Sequence, residues 1–207
     1  MNDVTIRSLL HRDPRQHYPV MVRGDGIYLY DEAGKRYIDG TAGATNVTLG
    51  HGRSRIARAM AEQAELLAYC FSSLFTNRPA IQLAERLSAL APADLNSVYL
   101  VSSGSEAIET AIKLARLYHV QRGSSSKHKI ISRWRSYHGA TLGALSLTGI
   151  VGMRTPFDPW LADFPHIAPC YPYRCKFANC GGHCNLSCAS DLERTIVEQG
   201  PENVAAF

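Results

Sequence analysis

Residues 97–112 read SVYLVSSGSEAIETAI, and this stretch decides the fold of the chain. Its first five residues, 97–101, are β-branched, aromatic or aliphatic apart from the leading serine, which predicts a short buried strand. From Ala107 onward, apolar residues recur at the spacing of one helical face and predict an amphipathic helix. A strand therefore leads into a helix through a tight turn.

The turn between this strand and helix has the features of an anion-binding site. Ser103 is followed three residues later by Glu106, a capping-box pattern in which each side chain satisfies a backbone N–H. Gly104 lets the backbone approach a ligand, and the positive end of the helix dipole favours phosphate. Capping boxes are common, so a purely structural cap is the commoner interpretation of this motif taken alone.

Further strand and helix patterns alternate through the second half of the chain. Residues 129–132 predict a second buried strand and residues 203–207 a third, with helices over 142–147 and 191–199. Asp191 is placed to favour the N-terminus of the last helix. This alternation predicts an α/β domain with a mainly parallel sheet and flanking helices.

The N-terminal half has a different texture. Residues 20–39 predict a small antiparallel β-meander, and a glycine-rich loop follows, in which His51 is best interpreted as a hydrogen-bonded loop histidine. Two amphipathic helices come next, one marked by Ile56 and Met60 and the other by residues 80–90. We place an N-terminal arm and meander in residues 1–52 and the first part of a large domain in residues 53–207.

Composition narrows the function classes. The chain has 207 residues, 45% of them hydrophobic, and a formal net charge of +4 without a long run of like charge. No basic stripe indicates nucleic-acid binding, and no apolar stretch reaches membrane-spanning length. No signal-peptide pattern is present, so the sequence predicts a cytoplasmic protein with reduced cysteines.

A cysteine cluster stands apart from these patterns. It consists of Cys170, Cys175, Cys180, Cys184 and Cys188, together with His183. The spacing contains no CxxC pair of the zinc-ribbon kind, so a reduced, loop-rich surface excursion is favoured and no metal is assigned. A structural zinc or iron–sulfur site is the alternative.

Two loops follow the carboxyl ends of successive predicted strands, where open α/β sheets bind ligands. One contains Ser103, Gly104 and Ser105, and the other contains Tyr137 and His138. Phosphate donors beside an aromatic face would suit a phosphorylated, planar, electron-poor ring, with Tyr137 as its stacking partner. Ordinary packing of Tyr137 is an equally weighted alternative.

These motifs together resemble the class III aminotransferases, which are pyridoxal-phosphate enzymes of fold type I. The resemblance is carried by residues 101–116, by Ser136-Tyr137-His138-Gly139-Ala140-Thr141, and upstream by residues 26–31, 37–40 and 49–51. It extends in order from about Tyr18 to Phe207. The resemblance implies the N-terminal portion of such an enzyme.

The resemblance also implies a cofactor site for pyridoxal 5'-phosphate. Gly104 and Ser105 would hold the phosphate, Tyr137 would stack on the ring, and His138 and Glu109 match family positions near the cofactor. For Glu109 a local alternative exists, because Lys113 lies four residues further along the helix and could form a surface pair with it.

The activity implied is ping-pong transamination by Schiff-base chemistry, from an ω-amino acid or amine to a keto acid such as pyruvate, in a homodimer. None of the lysines stands in the family's Schiff-base context; they are Lys35, Lys113, Lys127, Lys129 and Lys176. We therefore expect this chain alone to be inactive. Alternatives are a non-catalytic binding or assembly fragment and, from the cysteine cluster, a metal-binding module.

Overall fold

The computed structural model describes residues 9–177 and 186–207. Two compact units are present, one ending at Leu87 and the other extending from Ser88 to Phe207. Each unit is described by itself below. The domain boundary between residues 52 and 53 stays a prediction.

The first unit begins with an antiparallel sheet of three strands, which confirms the predicted meander. The strands are β1 (Met21–Asp25), β2 (Tyr28–Asp31) and β3 (Arg36–Ile38), in that order. The turn between β1 and β2 requires a left-handed residue, supplied by Gly26 with φ +56°. On one face, the Arg23 guanidinium lies 3.7 Å from the ring centre of Tyr30, a cross-strand contact that supports the register.

His51 fastens the loop that follows the meander. Its backbone pairs with Gly26, and its Nε2 lies 2.9 Å from Oδ2 of Asp39. The other carboxylate oxygen of Asp39 accepts the backbone N–H of Gly43 at 3.0 Å. The prediction of a hydrogen-bonded loop histidine is therefore confirmed.

Two helices follow, as the apolar periodicity predicts; the first lies in the first unit, and the second extends from the first unit into the first residues of the second. They are α1 (Ser54–Leu66) and α2 (Arg78–Leu90). None of their residues is buried in the described part of the chain, and Met60 is 68% exposed. Their apolar stripes are thus formed but uncovered.

The second unit is organised around α3 (Gly104–Gln121), the helix predicted from the opening stretch. The Ser103 hydroxyl accepts the Glu106 N–H at 3.2 Å, as in a capping box. The reciprocal bond differs from the prediction, because the Glu106 carboxylate accepts the N–H of Ser102, at 2.8 Å, and not that of Ser103. Ser103 is nevertheless the N-cap of α3, so the helix begins where the motif predicts.

Short parallel strands form the core of the second unit. Strand β4 (Lys129–Ile130) pairs with β7 (Val204–Ala206), and β5 (Ser132–Arg133) pairs with β6 (His166–Ile167). The predicted buried strand at 129–132 is confirmed but divided in two, since Ile131 lies between the ladders. Parallel pairing is confirmed, whereas β6 has too short an apolar run to be recognised from sequence.

The prediction of a strand at residues 97–101 is wrong. Among the residues that the structure describes, none pairs with this segment in a sheet, and Tyr99 is 74% exposed. A strand requires hydrogen-bonding neighbours as well as suitable side chains, and no described segment supplies them.

Helices cover the short strands of the second unit. They are α4 (Leu142–Leu147), α5 (Val151–Arg154) and α6 (Ser187–Gln199), with 3-10 turns at Thr155–Trp160 and Pro172–Arg174. Fully buried side chains include Ile131, Ile167 and Thr148. Helix α4 packs closely against this core because some of its side chains are small, and Ala144 is completely buried.

Asp191 does not lie in the first turn of its helix as predicted, because α6 begins earlier, at Ser187. Its side chain is only 1% exposed. One carboxylate oxygen accepts the Ala168 N–H at 2.7 Å, and the other is paired with Arg194. Asp191 therefore links α6 to the residue that follows β6.

The predicted cysteine cluster falls partly outside the described residues, since Cys180, His183 and Cys184 are not among them. Within residues 9–177 and 186–207, no three side chains of cysteine, histidine, aspartate or glutamate form a metal-binding group. In the same ranges, no helix combines the length and apolarity needed to cross a membrane.

Candidate cofactor-binding site

The N-terminus of α3 presents backbone donors to open space. In the described part of the chain, the N–H groups of Gly104 and Ser105 have no protein acceptor. A Cβ placed on Gly104 would meet no atom within 4 Å. The first-turn N–H groups and the helix dipole can therefore receive an anion such as a phosphate.

The loop between β5 and α4, residues 134–141, contacts this helix terminus directly. The Ala140 N–H donates to Oγ of Ser105 at 3.1 Å. The approach is so close that a Cβ on Gly139 would lie 3.1 Å from the Ser105 Cα, and Gly139 adopts a φ of +135°. The predicted convergence of the two loops is confirmed by this contact.

Tyr137 and His138 lie in this loop with different environments. Tyr137 is 61% exposed, so its ring is open to solvent. His138 is half-buried, its Nε2 lies 3.1 Å from Oγ of Ser136, and its backbone N–H donates to Oγ1 of Thr148 at 2.9 Å. Thr148 in turn lies within hydrogen-bond distance of the Gly139 carbonyl, at 3.1 Å. The loop backbone is thereby tied to the end of α4.

Glu109 lies one turn along α3 from Ser105, and its carboxylate points to the start of α4. Its Oε1 accepts hydrogen bonds from Thr141 Oγ1 at 2.7 Å, from the Gly143 N–H at 2.9 Å and from the Ala144 N–H at 3.2 Å. Although both residues are described, no salt bridge to Lys113 is formed, so the predicted surface pair is absent. Its cofactor role stays a prediction.

The far end of α4 is equally well held. The Arg154 guanidinium donates to the carbonyl oxygens of Leu145, Ser146 and Thr148 at 3.1, 2.7 and 3.1 Å. The Nε2 of His166 lies 3.2 Å from the Leu147 carbonyl oxygen, and burial lowers the pKa of this histidine. These contacts make α4 a fixed support for the loop.

A cavity of about 440 Å³ adjoins the site. One wall is the apolar face of α3, and the other is formed by the strands and by the loop residues Ser136 and His138. His138 therefore belongs both to the loop over the helix terminus and to the lining of this cavity. Such a cavity is large enough for a small organic ligand.

Of the predicted residues, Gly104 and Ser105 lie at the start of α3, and Tyr137 and His138 lie on the loop whose Ala140 N–H contacts Ser105; their roles in cofactor binding stay predictions. Sequence reasoning assigned no role to Thr141, Gly143 or Thr148, which hold the loop in place. Gly143 offered a usable signal, because a glycine inside a helical pattern often marks close approach by another group. The other two are ordinary hydroxyl residues with no distinguishing spacing.

The available groups fit a phosphorylated ring. Unpaired N–H donors at the α3 terminus can bind phosphate, the Ser105 hydroxyl can add a hydrogen bond, and an exposed tyrosine ring lies on the adjoining loop. The nearby Glu106 carboxylate is turned back onto the Ser102 N–H, from which it accepts a hydrogen bond at 2.8 Å.

Comparison with known proteins identifies the family of the chain. The family model for class III aminotransferases matches residues 10–207. A probable aminotransferase of Mycobacterium tuberculosis is 40% identical over 189 residues, which cover 91% of this chain and 41% of the relative. The putrescine–pyruvate aminotransferase of Pseudomonas aeruginosa is 32% identical over 191 residues, with 91% and 41% coverage.

A solved structure extends the comparison to the fold. The omega transaminase from Pseudomonas jessenii in complex with PMP superposes with a TM-score of 0.85 at 34% identity, covering 96% of this chain and 46% of that chain. The chain thus spans less than half the length of the relatives it matches. Its α/β architecture with a small antiparallel N-terminal sheet is that of fold type I. From sequence, site and fold together, the chain belongs to the class III aminotransferase family.

Proposed function

We propose that this chain supplies the phosphate- and ring-binding part of an enzyme that transfers an amino group from an ω-amino acid or amine to a keto acid such as pyruvate. The observation that carries the proposal is the hydrogen bond between Ser105 Oγ and the Ala140 N–H. Through it, a helix terminus with unpaired donors and a loop with an exposed aromatic ring form one site. Class III aminotransferases use pyridoxal phosphate, and PMP is its aminated form.

Each residue has a distinct task in this proposal. The N–H groups of Gly104 and Ser105 bind the phosphate, and the Ser105 hydroxyl orients it while also accepting from Ala140. Tyr137 covers one face of the ring and excludes water from it. His138 is held by Thr148 and Ser136 at the edge of the cavity, where its imidazole can hydrogen-bond to a ligand. Bound pyridoxal phosphate supplies the electron sink for amino transfer.

Two of the described lysines, Lys127 and Lys129, are hydrogen-bonded to other parts of the chain. Lys127 donates to the carbonyl oxygens of Pro201 and Val204, and Lys129 donates to the Gln199 side chain at 2.6 Å. Because none of the lysines stands in the family's Schiff-base context, we expect this chain to bind the cofactor reversibly, without a specific lysine adduct after borohydride reduction. Mass spectrometry of the reduced mixture measures this directly, and a specific modified lysine would contradict the expectation.

Cofactor binding is tested by equilibrium dialysis of the chain against pyridoxal 5'-phosphate. Stacking on an aromatic ring contributes about 0.5–1.5 kcal/mol, so Tyr137→Ala should weaken binding by roughly 2- to 12-fold. Tyr137→Phe should bind like the wild type. Tyr99→Ala is the matched control, because Tyr99 is an exposed tyrosine in the same unit.

Two results would contradict the cofactor site. One is an unchanged affinity in Tyr137→Ala, and the other is equal affinity for pyridoxal, which lacks the phosphate. Amino transfer itself is tested with the full-length gene product, by measuring alanine formation from pyruvate and a set of ω-amino acids and amines. The proposed reaction is refuted if no more alanine forms with an amino donor than in a control reaction without one.

The remaining parts of the proposal concern the protein's surroundings. We propose a cytoplasmic homodimer whose partners are its small-molecule amino donor and keto-acid acceptor, with no nucleic acid or membrane partner. The formal net charge of +4 is spread over a mixed surface, which supports this assignment. Analytical ultracentrifugation of the full-length gene product tests the dimer, and a monomer at micromolar concentration would contradict it.

A further inference from the structure

We propose that Glu109 is a positioning residue that holds the loop between β5 and α4, residues 134–141, against the N-terminus of α3. This inference rests on the proposed function and concerns how the site is kept in shape. The carboxylate contacts no other part of the described site than the start of α4, where Oε1 accepts from Thr141, Gly143 and Ala144. Glu109 thus acts through the loop and α4.

Helix α4 needs such support. It has only six residues, and its N-cap residue, Thr141, makes no side-chain cap hydrogen bond of its own. Isolated helices of this length are unstable in water, so α4 depends on outside contacts. The Glu109 carboxylate supplies the missing cap from another helix, with a negative charge at the positive end of the α4 dipole.

Glu109 and Ser105 form a two-point attachment for the loop. They are four residues apart on α3 and therefore lie on the same face of the helix. Ser105 receives the Ala140 N–H, and Glu109 receives the side-chain hydroxyl of the next residue, Thr141. The two bonds hold consecutive loop residues, so they fix where Tyr137, three residues earlier, stands relative to the helix terminus.

Gly143 is the counterpart of Glu109 in this arrangement. A Cβ on Gly143 would lie 2.7 Å from Oε1 and 2.8 Å from Cδ of Glu109, well inside contact distance. The carboxylate can reach the first turn of α4 only because no side chain stands there. Gly143→Ala should therefore displace the carboxylate, but it should be harmless once Glu109 has been shortened.

The test uses the full chain and four variants: Glu109→Gln, Glu109→Ala, Gly143→Ala and the double variant Glu109→Ala/Gly143→Ala. Glu193→Ala is the matched control, because it removes an exposed carboxylate from the same unit. Two quantities are measured for each protein. They are the hydrogen-exchange rates of the Gly143 and Ala144 amides and the equilibrium affinity for pyridoxal 5'-phosphate.

We expect Glu109→Ala to speed exchange at these amides by about 2- to 30-fold, the range found when helix caps are removed. Glu109→Gln should stay near wild type, because its amide oxygen still accepts these bonds. Cofactor affinity should fall about 2- to 10-fold in Glu109→Ala and in Gly143→Ala. The double variant should be no worse than Glu109→Ala alone.

Three results would overturn the inference: unchanged exchange in Glu109→Ala, lost protection with unchanged affinity, or additive losses in the double variant. A wild-type chain that binds no pyridoxal phosphate would refute the proposed cofactor site. The exchange rates and the double variant would then still decide whether Glu109 holds the loop, so the two failures are distinguishable.

Discussion

Replacing Asp191 tests the contact that joins α6 to the strand region. The Asp191 side chain is only 1% exposed, and it accepts the N–H of Ala168, which is itself 1% exposed. In Asp191→Ala this buried N–H loses its acceptor. In Asp191→Asn an amide oxygen can still accept it, although the charge is lost.

The magnitude follows from the hydrogen bond to the Ala168 N–H and the ion pair with Arg194, because Lys176 lies 3.9 Å from the carboxylate, is 59% exposed and adds little. An unsatisfied buried N–H costs about 1–3 kcal/mol. The ion pair with Arg194 contributes only about 0.2–1 kcal/mol, because the Arg194 side chain is 59% exposed. Asp191→Ala should therefore lower the free energy of unfolding by roughly 1–4 kcal/mol, and Asp191→Asn by about 1 kcal/mol.

The effect should depend on pH in a defined direction. Burial raises the pKa of Asp191, but the hydrogen bonds from Arg194 and from the Ala168 N–H outweigh it, so the folded-state pKa lies below the ordinary 3.8. A carboxyl with a depressed folded-state pKa stabilises the protein above its unfolded value and loses that contribution as the pH falls. The difference between wild type and Asp191→Asn should thus shrink below about pH 4.

Urea unfolding at pH 7 and at several values down to pH 3 measures these differences. Glu193→Ala is the control and should stay within about 0.5 kcal/mol of wild type, since its side chain is on the surface. The reasoning is refuted if Asp191→Ala is as stable as this control. It is also refuted if the Asp191→Asn difference grows as the pH falls.

Three further predictions concern other contacts. Gly149→Ala should destabilise the chain by about 1–3 kcal/mol in urea unfolding, because its Cβ would lie 2.7 Å from the backbone nitrogen of Arg135; wild-type stability would contradict this. The pKa of Asp39 lies below its ordinary value, first because its carboxylate accepts the Gly43 N–H and then because it pairs with His51. The backbone amides of residues 40–50 should therefore be fully protected from hydrogen exchange above pH 4 and lose that protection as the pH falls. Asp39→Asn should abolish this pH dependence. The Lys127 ammonium group donates to the carbonyl oxygens of Pro201, at 2.7 Å, and of Val204 in β7, at 2.9 Å. Lys127→Met should therefore raise hydrogen exchange in β7, and unchanged exchange would show that Lys127 does not stabilise this strand.

Much of the local structure could be read from the sequence. The period of apolar residues identified α1, α2 and α3, and the alternation with turn residues identified the meander. These features depend on residues close together in the chain. The pairing of Ser103 with Glu106 was readable for the same reason, although its reciprocal bond shifted to Ser102.

Other predictions failed where a distant partner decides the outcome. Residues 97–101 have strand-forming side chains, but no described segment pairs with them, and β6 is a strand only because β5 lies beside it. Asp191 follows the same rule, since its acceptor role depends on Ala168. Propensity is a local property, whereas a ladder requires a neighbour.

The sequence by itself determined where α1, α2, α3 and α4 lie, that the alternating segments of the second unit favour parallel strands, and that Gly104 and Ser105 open a helix suited to an anion. Only the tertiary structure decided that Ala140 binds Ser105 and that Glu109 reaches past Gly143 to cap α4. Hydrophobic periodicity is written along the chain and needs no partner to be recognised. A hydrogen bond between residues more than thirty positions apart exists only once the chain is folded, because folding alone brings donor and acceptor within reach.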